Sequence, residues 1–431
     1  MADLPASTAP DSTDGFVPLG ERSWLRFRAR DRHVRLDPRE PAFYENPYPA
    51  YEAIRAVAPQ FFWEEQATWC FLEAADVGTL LRDRRFGREI PGQPTGPVPE
   101  VSEHIATFLH VNRNSMLERE PPVHTRLRTL VNRAFVSRAI ERLRPQIAAH
   151  AHALIDAVQA DGHAELLAAF ASPIPVVVIA ELLGIPVDRA DDLLDWSHRM
   201  VAMFQLGRTR QMEVAAEAAT QEFVAFMREH VARRRTQPAD DLITALIAAE
   251  ASGDKLSEDE LIGTCILLLN AGHEATVHAL GNAVKVLLEA GSDPGRVFAN
   301  SAATELAVEE TLRFDPPLHL FSRIASADCE VAGVLLRAGD SVGLMYGAAN
   351  RDPSRYSEAD QFDPSRPASP SHASFGGGIH FCLGAPLARL ELQTALPILF
   401  QRLPKLRLAE TPHYRNAYHF HGLESLRVRW D

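Results

Sequence analysis

Apolar side chains recur every three or four residues over much of the chain between residues 124 and 290, which predicts a mainly helical region. The C-terminal third mixes a helix near residues 302–313 with short strands such as DSVGLMY and turns such as NRDP. Earlier in the chain, FFWEE followed by ATWCFLE predicts a hairpin. No repeat or linker divides these segments, so the pattern predicts one mainly helical unit with small sheets.

One predicted helix is long enough to cross the whole molecule. Ser257 and Glu260 form a capping box that predicts its start, and Gly291 predicts its end. The residues between them would span roughly 50 Å at 1.5 Å per residue. Gly272 and Glu274 interrupt its apolar middle. A glycine inside a helix costs about 1 kcal/mol, and a carboxylate inside an apolar helix needs solvent, a partner or a function. From this stretch alone, a simply solvated Glu274 and a functional Glu274 are both open.

The composition of two segments predicts irregular structure. Residues 1–20 are rich in Pro, Ser, Thr and Asp, which predicts a disordered N-terminal segment. Residues 90–99 read IPGQPTGPVP, and their prolines and glycines exclude a helix or a central strand. A long loop inside a compact chain is often a lid or a binding segment.

Composition narrows the class of protein. The 431 residues include 44 Lys plus Arg and 57 Asp plus Glu, a net charge of −13, which argues against nucleic acid as the main partner. Four widely spaced cysteines without a C-x-x-C pair argue against a disulfide framework or a zinc cluster and fit a reducing compartment. The start lacks the pattern of a signal peptide, and the apolar stretch at residues 261–270 is too short to cross a bilayer. We therefore expect a cytoplasmic protein without a membrane anchor.

One cysteine lies in an unusual setting. Cys382 falls within FGGGIHFCLGAPLAR, where flanking glycines let backbone amides approach the sulfur and favour the thiolate. The following APLARLELQTALPILF predicts a helix whose N-terminus also favours an anion. A lone thiolate in such a loop suits an axial ligand of haem iron, whereas an isolated cysteine is more often a buried structural one.

At this motif the chain resembles the cytochrome P450 superfamily, in its soluble bacterial type. The segment matches F-G-x-G-x-H-x-C-x-G-x-x-L-A-R at every fixed position. Further similarities follow in the family's order: PPVHTRLR at 121–128, AGHEAT at 271–276, E-x-x-R at 310–313, and NRDP, FDP and Arg366 in the meander. The resemblance runs from about residue 40 to the end. It implies one catalytic domain at 21–431 with a mainly α fold and small β-sheets (α+β), a triangular prism that holds haem between the long central helix and the cysteine loop.

The resemblance also implies roles for single residues. Cys382 would be the proximal thiolate ligand of haem b. Glu310 and Arg313, with Arg366, would brace the cysteine loop as structural residues. The remaining cofactor contacts implied by the aligned motifs are His124, Arg128, Arg323 and His380 toward the propionates, and Phe375, Gly376, Gly384 and Ala271 along the haem.

The oxygen-activating helix departs from the family pattern at one position. Glu274 matches the family's proton-relaying acid, but Ala275 stands where the family usually has Thr. Thr276 follows, about 100° further around the helix. Either a substrate hydroxyl or ordered water replaces the missing group, or a local distortion lets Thr276 reach the site.

The resemblance implies a monooxygenase that inserts one atom of O2 into a lipophilic small molecule, with electrons from NAD(P)H through a ferredoxin reductase and a ferredoxin. Residues 124–145 carry six arginines and one acid, Glu141, and could steer an acidic ferredoxin. The predicted pocket walls are the loop near 90–118, residues 200–206, Ala271, Ala275, Leu318, Phe321, Phe420 and His421. A peroxide-driven or rearranging haem-thiolate enzyme and a non-catalytic haem sensor or ligand carrier are the alternatives.

Overall fold

The computed structural model describes residues 14–89, 103–135, 140–205, 208–249 and 253–431, so the loop predicted at 90–99 lies outside the described residues. The α-helices in chain order are Pro41–Tyr44, Tyr48–Val57, Ala74–Leu80, Ala106–Arg113, Val123–Ala134, Arg144–Val158, Pro173–Leu182, Ala190–Val201, Arg210–Thr236, Leu242–Ala248, Glu258–Glu289, Pro294–Val297, Ser301–Phe314, Tyr346–Ala349 and Ala385–Arg402. The helical region predicted between residues 124 and 290 is confirmed.

Strands form three sheets among the described residues. The largest has eight strands in the spatial order Val17–Leu19, Arg22–Arg28, His33–Arg35, Gln60–Trp63, Thr68–Phe71, Ser341–Leu344, Phe321–Ala325 and Phe86–Gly87. The smaller sheets are Cys329–Val331 with Val334–Leu336, and Arg407–Leu408 with Arg427–Arg429 and His163–Glu165.

The large sheet tests two predictions from the sequence. Gln60–Trp63 and Thr68–Phe71 pair antiparallel, which confirms the predicted hairpin. Val17–Leu19 pairs antiparallel with Arg22–Arg28. The sheet therefore begins before residue 21, and the disorder predicted for residues 1–20 extended too far along the chain. Pairing between these two strands hydrogen-bonds the backbone of residues 17–19.

The central helix, Glu258–Glu289, begins as predicted. The Ser257 hydroxyl accepts from the Glu260 amide at 3.2 Å, and the Glu260 carboxylate accepts from the Ser257 amide at 2.9 Å. At its other end Gly291 has a φ of +59°. Gly272 allows a close approach, since a Cβ there would lie 2.6 Å from Ile179 Cδ1 on the neighbouring helix. The mid-helix glycine therefore has a packing reason.

A buried ion-pair network ties the helix Ser301–Phe314 to the chain before the cysteine loop. Glu310 and Arg313 are each 2% exposed and pair through two contacts, at 2.7 and 2.8 Å. Arg366 Nε donates to the same carboxylate at 3.1 Å. Arg313 also donates to the Asn350 carbonyl at 2.7 Å, and the Asn350 side chain bonds Ser374, one residue before the loop. A paired and fully hydrogen-bonded buried charge holds its geometry well.

Most of the helices, including the central one, contribute to one large apolar core, and two smaller cores lie against the large sheet and contain the remaining short helices. Within the described parts of the chain, no helix is both long and apolar enough to span a membrane.

Candidate active site

Cys382 lies at the end of a loop that leads into the helix Ala385–Arg402. Its amide donates to the Phe375 carbonyl at 2.9 Å, which closes the loop. The surface of Cys382 is accessible to solvent. Protein atoms nevertheless surround its sulfur closely, and this partial removal from water raises the pKa of the thiol. The backbone amides of Gly384 and Ala385 and the charge of Arg128 oppose that rise. A thiol that is both accessible and closely surrounded lies on the wall of a recess.

Glycine is required at two positions of this loop. Gly376 and Gly378 have φ values of +68° and +67°, in the left-handed region. A Cβ at Gly378 would also lie 2.2 Å from the Leu81 carbonyl oxygen, a contact with backbone that cannot be relieved by a side-chain rotation. The close approach of the chain near Leu81 therefore holds the loop in position.

A narrow stripe of the central helix is open. Ala271 is exposed, and Leu267 and Ala275, one turn away on either side, are partly exposed, although most of the helix is buried. Residues four apart share a helix face. An exposed stripe in the middle of a buried helix indicates that this face borders an internal recess.

Two arginines near the recess, the buried Arg323 and the partly buried Arg128, have no carboxylate partner among the described residues. Arg323 is 2% exposed, and no carboxylate of the described residues lies within salt-bridge distance of it. Its guanidinium lies 5.1 Å from the centre of the Phe321 ring. Burial lowers the pKa of Arg128, and the nearby Cys382 sulfur partly offsets this. Because buried cations need an anion, these side chains predict an anionic group in the recess.

The two histidines assigned to the propionates contact each other. The ring centres of His124 and His380 lie 4.4 Å apart. His380 Nε2 is already hydrogen-bonded to Glu120 at 2.8 Å. His124 is 2% exposed, and burial, with a contribution from His380, lowers its pKa to about 4. His124 is therefore neutral at neutral pH, and His380 has a carboxylate partner that the sequence did not suggest.

Glu274 is buried and ion-paired. Its Oε1 accepts from Arg415 at 2.8 Å and lies 3.1 Å from His278 Nε2. Burial alone would raise its pKa, but His278 and Arg415 outweigh burial and hold the pKa of Glu274 well below its usual range. The carboxylate is therefore ionised, and the simply solvated side chain considered from the sequence is excluded.

The structure argues against a distorted helix that brings Thr276 to the site. The central helix is α-helical without interruption from Glu258 to Glu289. Thr276 is 4% exposed and lies close enough to the buried carboxyl group of Glu391, on the helix Ala385–Arg402, to interact with it. Burial raises the pKa of Glu391 well above its usual range. Thr276 is therefore buried beside a second helix, which argues against its assignment as a catalytic residue.

The predicted pocket residues divide into two groups. Leu318 and Phe420 are paired across an isolated β-bridge and are both partly exposed, which suits a wall. Phe321 is partly exposed, with Arg88 and Arg323 over its ring. His421 does not fit: it is 2% exposed, stacks on Tyr414 at 3.9 Å between ring centres and lies 3.4 Å from the Asp315 carboxylate. Its imidazole belongs to a buried polar network, so its assignment to the pocket was wrong.

Sequence reasoning missed several residues around the site. Arg415 and Glu120 lie far along the chain from the groups that they pair with. Glu391 could have been noticed, because an acid among the apolar positions of the predicted helix needs a partner. His278, four residues after Glu274, lies on the same helix face and was also recognisable by spacing.

Comparison with known proteins agrees with this geometry. The sequence model of the family described as Cytochrome P450 matches residues 98–290 and 300–410. The chain is 36% identical over 392 residues to the biotin biosynthesis cytochrome P450 of Bacillus subtilis, covering 90% of this chain and 97% of that protein. It is 38% identical over 383 residues to the mycinamicin IV hydroxylase/epoxidase of Micromonospora griseorubida, covering 88% and 89%.

One solved structure has a similar fold over nearly the whole chain. A cytochrome P450 in complex with an acyl carrier protein that bears hexadec-9Z-enoic acid matches with a TM-score of 0.84 and 36% identity, over 91% of this chain and 99% of that one. The accessible cysteine loop, the open helix stripe and the mainly helical fold agree with the haem-thiolate class that these comparisons show. The chain belongs to the cytochrome P450 family of monooxygenases, whose prosthetic group is haem b.

The residues around the recess fit haem. Ile379 and Phe381 flank Cys382 with apolar side chains that are each 41% exposed, and Ala271 exposes an apolar surface on the central helix. Apolar side chains of this kind suit a pocket that holds a flat, largely apolar cofactor. Arg323, buried without a carboxylate partner among the described residues, supplies a donor of the kind that a propionate needs.

Replacing Gly378 by Ala tests the placement of the cysteine loop. We expect Gly378→Ala to lower the ratio of haem to purified protein and the thermal midpoint, because its Cβ would collide with the Leu81 carbonyl. Gly333→Ala is the matched control: its φ is +71°, but nothing lies within 4 Å of its Cβ. Both changes carry about 1–2 kcal/mol of backbone strain. Equal haem content in the two variants would contradict the expected role of this contact.

Proposed function

We propose that this cytochrome P450 inserts one oxygen atom from O2 into a lipophilic small organic molecule. Two observations carry the proposal: the accessible thiol of Cys382 in its glycine-bounded loop, and the open apolar stripe of the central helix at Ala271 and Ala275. When bound, haem b supplies a thiolate-ligated iron at which dioxygen can be activated. The apolar stripe would exclude water and face the substrate.

The chain offers distinct residues for each part of the cofactor. Cys382 would be the axial ligand, supported by the Gly384 and Ala385 amides. Arg323 and Arg128 would hold the propionates by charge-assisted hydrogen bonds, and His124 would donate as a neutral imidazole. His380 would join them only after exchanging its bond to Glu120. Phe375, Gly376, Gly384 and Ala271 remain proposed contacts of the ring.

Glu274 is the proposed proton relay. Its carboxylate lies beside Ala275 on the central helix and is linked toward solvent by Arg415 and His198, whose side chains are 38% and 56% exposed. An ion-paired acid holds no proton, so the relay requires that Arg415 release Oε1 while a proton is carried. Arg415 lies in an irregular segment near the C-terminus, which can move without breaking a helix.

The hydroxyl that is absent at Ala275 would come from the substrate or from an ordered water. Thr276 is a poor source, because it is only 4% exposed and lies beside the buried carboxyl group of Glu391. The relatives' names mention biotin biosynthesis and mycinamicin IV, and one solved relative is in complex with an acyl carrier protein that is ligated to hexadec-9Z-enoic acid. The long hydrocarbon chain of that acid supports a lipophilic substrate.

The proposed electron donor is a ferredoxin, reduced by a ferredoxin reductase with NAD(P)H. The arginine-rich segment at 124–145 supports it less strongly than the charge count suggested. Arg126 pairs with Glu260, Arg142 with Asp240 at 3.3 Å, and Arg144 with Glu141 at 3.1 Å. The proposed compartment is the cytoplasm, and the four unpaired cysteines fit its reducing environment.

A peroxide-driven enzyme is the second candidate. The observation that favours it is that the open stripe carries Ala275, which has no hydroxyl, while Thr276 is only 4% exposed. The relay acid Glu274 favours the dioxygen reaction, because direct use of peroxide does not need delivered protons.

Isotope-labelled dioxygen distinguishes the candidates. Haem-loaded protein is incubated with ¹⁸O2, NADPH, ferredoxin, its reductase and a compound that shifts the haem spin state. We expect one ¹⁸O atom in the product and no product without ferredoxin. Product formed only with hydrogen peroxide would favour the second candidate, and absence of product in both arms would favour a sensor or carrier.

Restoring the hydroxyl at position 275 tests its replacement. With substrates that lack a suitably placed hydroxyl, Ala275→Thr should raise the product formed per NADPH consumed, because the variant supplies the group itself. Thr276→Val is the matched comparison and should leave this ratio unchanged. Unchanged coupling in Ala275→Thr with every substrate, or uncoupling in Thr276→Val, would contradict the proposal.

A further inference from the structure

The two oxygens of Glu274 have different surroundings. Oε1 is occupied by Arg415 and His278. Oε2 faces two imidazoles instead, His198 Nε2 at 3.5 Å and His273 Nδ1 at 3.9 Å. His198 comes from the helix Ala190–Val201, which packs beside the central helix. One carboxylate oxygen and two histidine nitrogens thus converge between two helices.

The spacing of these atoms suits a transition-metal ion. Zinc binds histidine nitrogen and carboxylate oxygen at about 2.0–2.2 Å in a tetrahedron, which puts neighbouring ligand atoms about 3.4 Å apart. The two separations from Oε2 are 3.5 and 3.9 Å, and all three ligand atoms lie within 4.8 Å of one another. His198, with 56% of its side chain exposed, can close the remaining distance by a small rotation.

His273 supplies an independent indication of a ligand. Its side chain is 1% exposed, and neither ring nitrogen has a hydrogen-bond partner of ordinary geometry. The backbone of Ser172 interacts with the ring but does not complete such a bond. Buried polar groups are nearly always hydrogen-bonded, so an imidazole left open and facing a carboxylate requires an explanation.

A second cluster of one acid and two histidines differs, because protein groups already hydrogen-bond its polar atoms. Asp315, His319 and His421 also lie within 4.8 Å of one another. There, however, Tyr48 donates to Asp315 at 2.8 Å, Tyr414 donates to the other oxygen, and His319 Nδ1 lies 2.9 Å from the Tyr51 hydroxyl. Tyrosine partners already fill the positions that a metal would take, so we assign no metal to that cluster.

We propose that His198, His273 and Glu274 form a binding site for a divalent transition-metal ion such as Zn²⁺, which bridges the two helices and inhibits the enzyme. The fourth position would be left to water or another exogenous ligand. The positive charge of Arg415 on the opposite oxygen weakens attraction for a cation, so we expect micromolar rather than tighter affinity. The inhibitory part rests on the proposed relay, because a metal on Oε2 would occupy Glu274 and its link to solvent through His198.

Calorimetric titration of the untagged haem-loaded enzyme with Zn²⁺ tests the site without reference to activity. We expect His198→Ala to remove one zinc site or weaken it at least tenfold, and Glu274→Gln to do the same. The matched control is His110→Ala. His110 is 55% exposed and lies 3.0 Å from the Asp259 carboxylate, but it is not part of a three-ligand cluster among the described residues. That control should bind zinc as the wild type does.

Zinc binding that is unchanged in His198→Ala would overturn the site. A site that is lost equally in His110→Ala would also overturn it, because the binding would then be general to surface histidines. Product formation with added Zn²⁺ tests the second part separately: it should fall in the wild type and fall less in His198→Ala. If zinc binds at His198 but product formation does not fall, the site stands and the proposed relay through Glu274 fails.

Discussion

The constraint on which the structure depends is the exposure of one sulfur inside a closely packed protein. Cys382 must remain open to a flat ligand while the loop around it stays rigid. Two left-handed glycines, the close approach to the Leu81 carbonyl and the amides before the following helix hold the loop. The buried Glu310–Arg313–Arg366 network then joins this loop to the rest of the fold through Asn350.

Local chemistry made much of this predictable. The capping box at Ser257, the hairpin at residues 60–71 and the helix that ends before Asp315 all depend on neighbours in sequence. The cysteine motif is equally local, because its glycines and the helix after it act within about ten residues. The pairing of Glu310 with Arg313 followed from their i, i+3 spacing, although only the structure shows how deeply both are buried.

The sequence did not predict contacts between side chains that lie far apart along the chain. Arg415 reaches Glu274 across 141 positions, and Glu120 reaches His380 across 260. The same limit explains why His421 and Thr276 depart from the predicted site. His421 lies next to a residue that suits the pocket wall, but its ring lies against Asp315, and Thr276 is buried beside Glu391. Nothing in the neighbouring residues specified either placement, because each depends on a buried carboxyl group from a distant part of the chain.

The spectrum of the reduced protein with carbon monoxide tests the central claim most directly. The account requires the Soret band that is typical of thiolate ligation in the wild type, and loss of that band in Cys382→Ser, since the serine hydroxyl cannot replace the sulfur as an anionic ligand. A wild-type protein that binds haem without that band, or a serine variant that retains it, would contradict the assignment of Cys382.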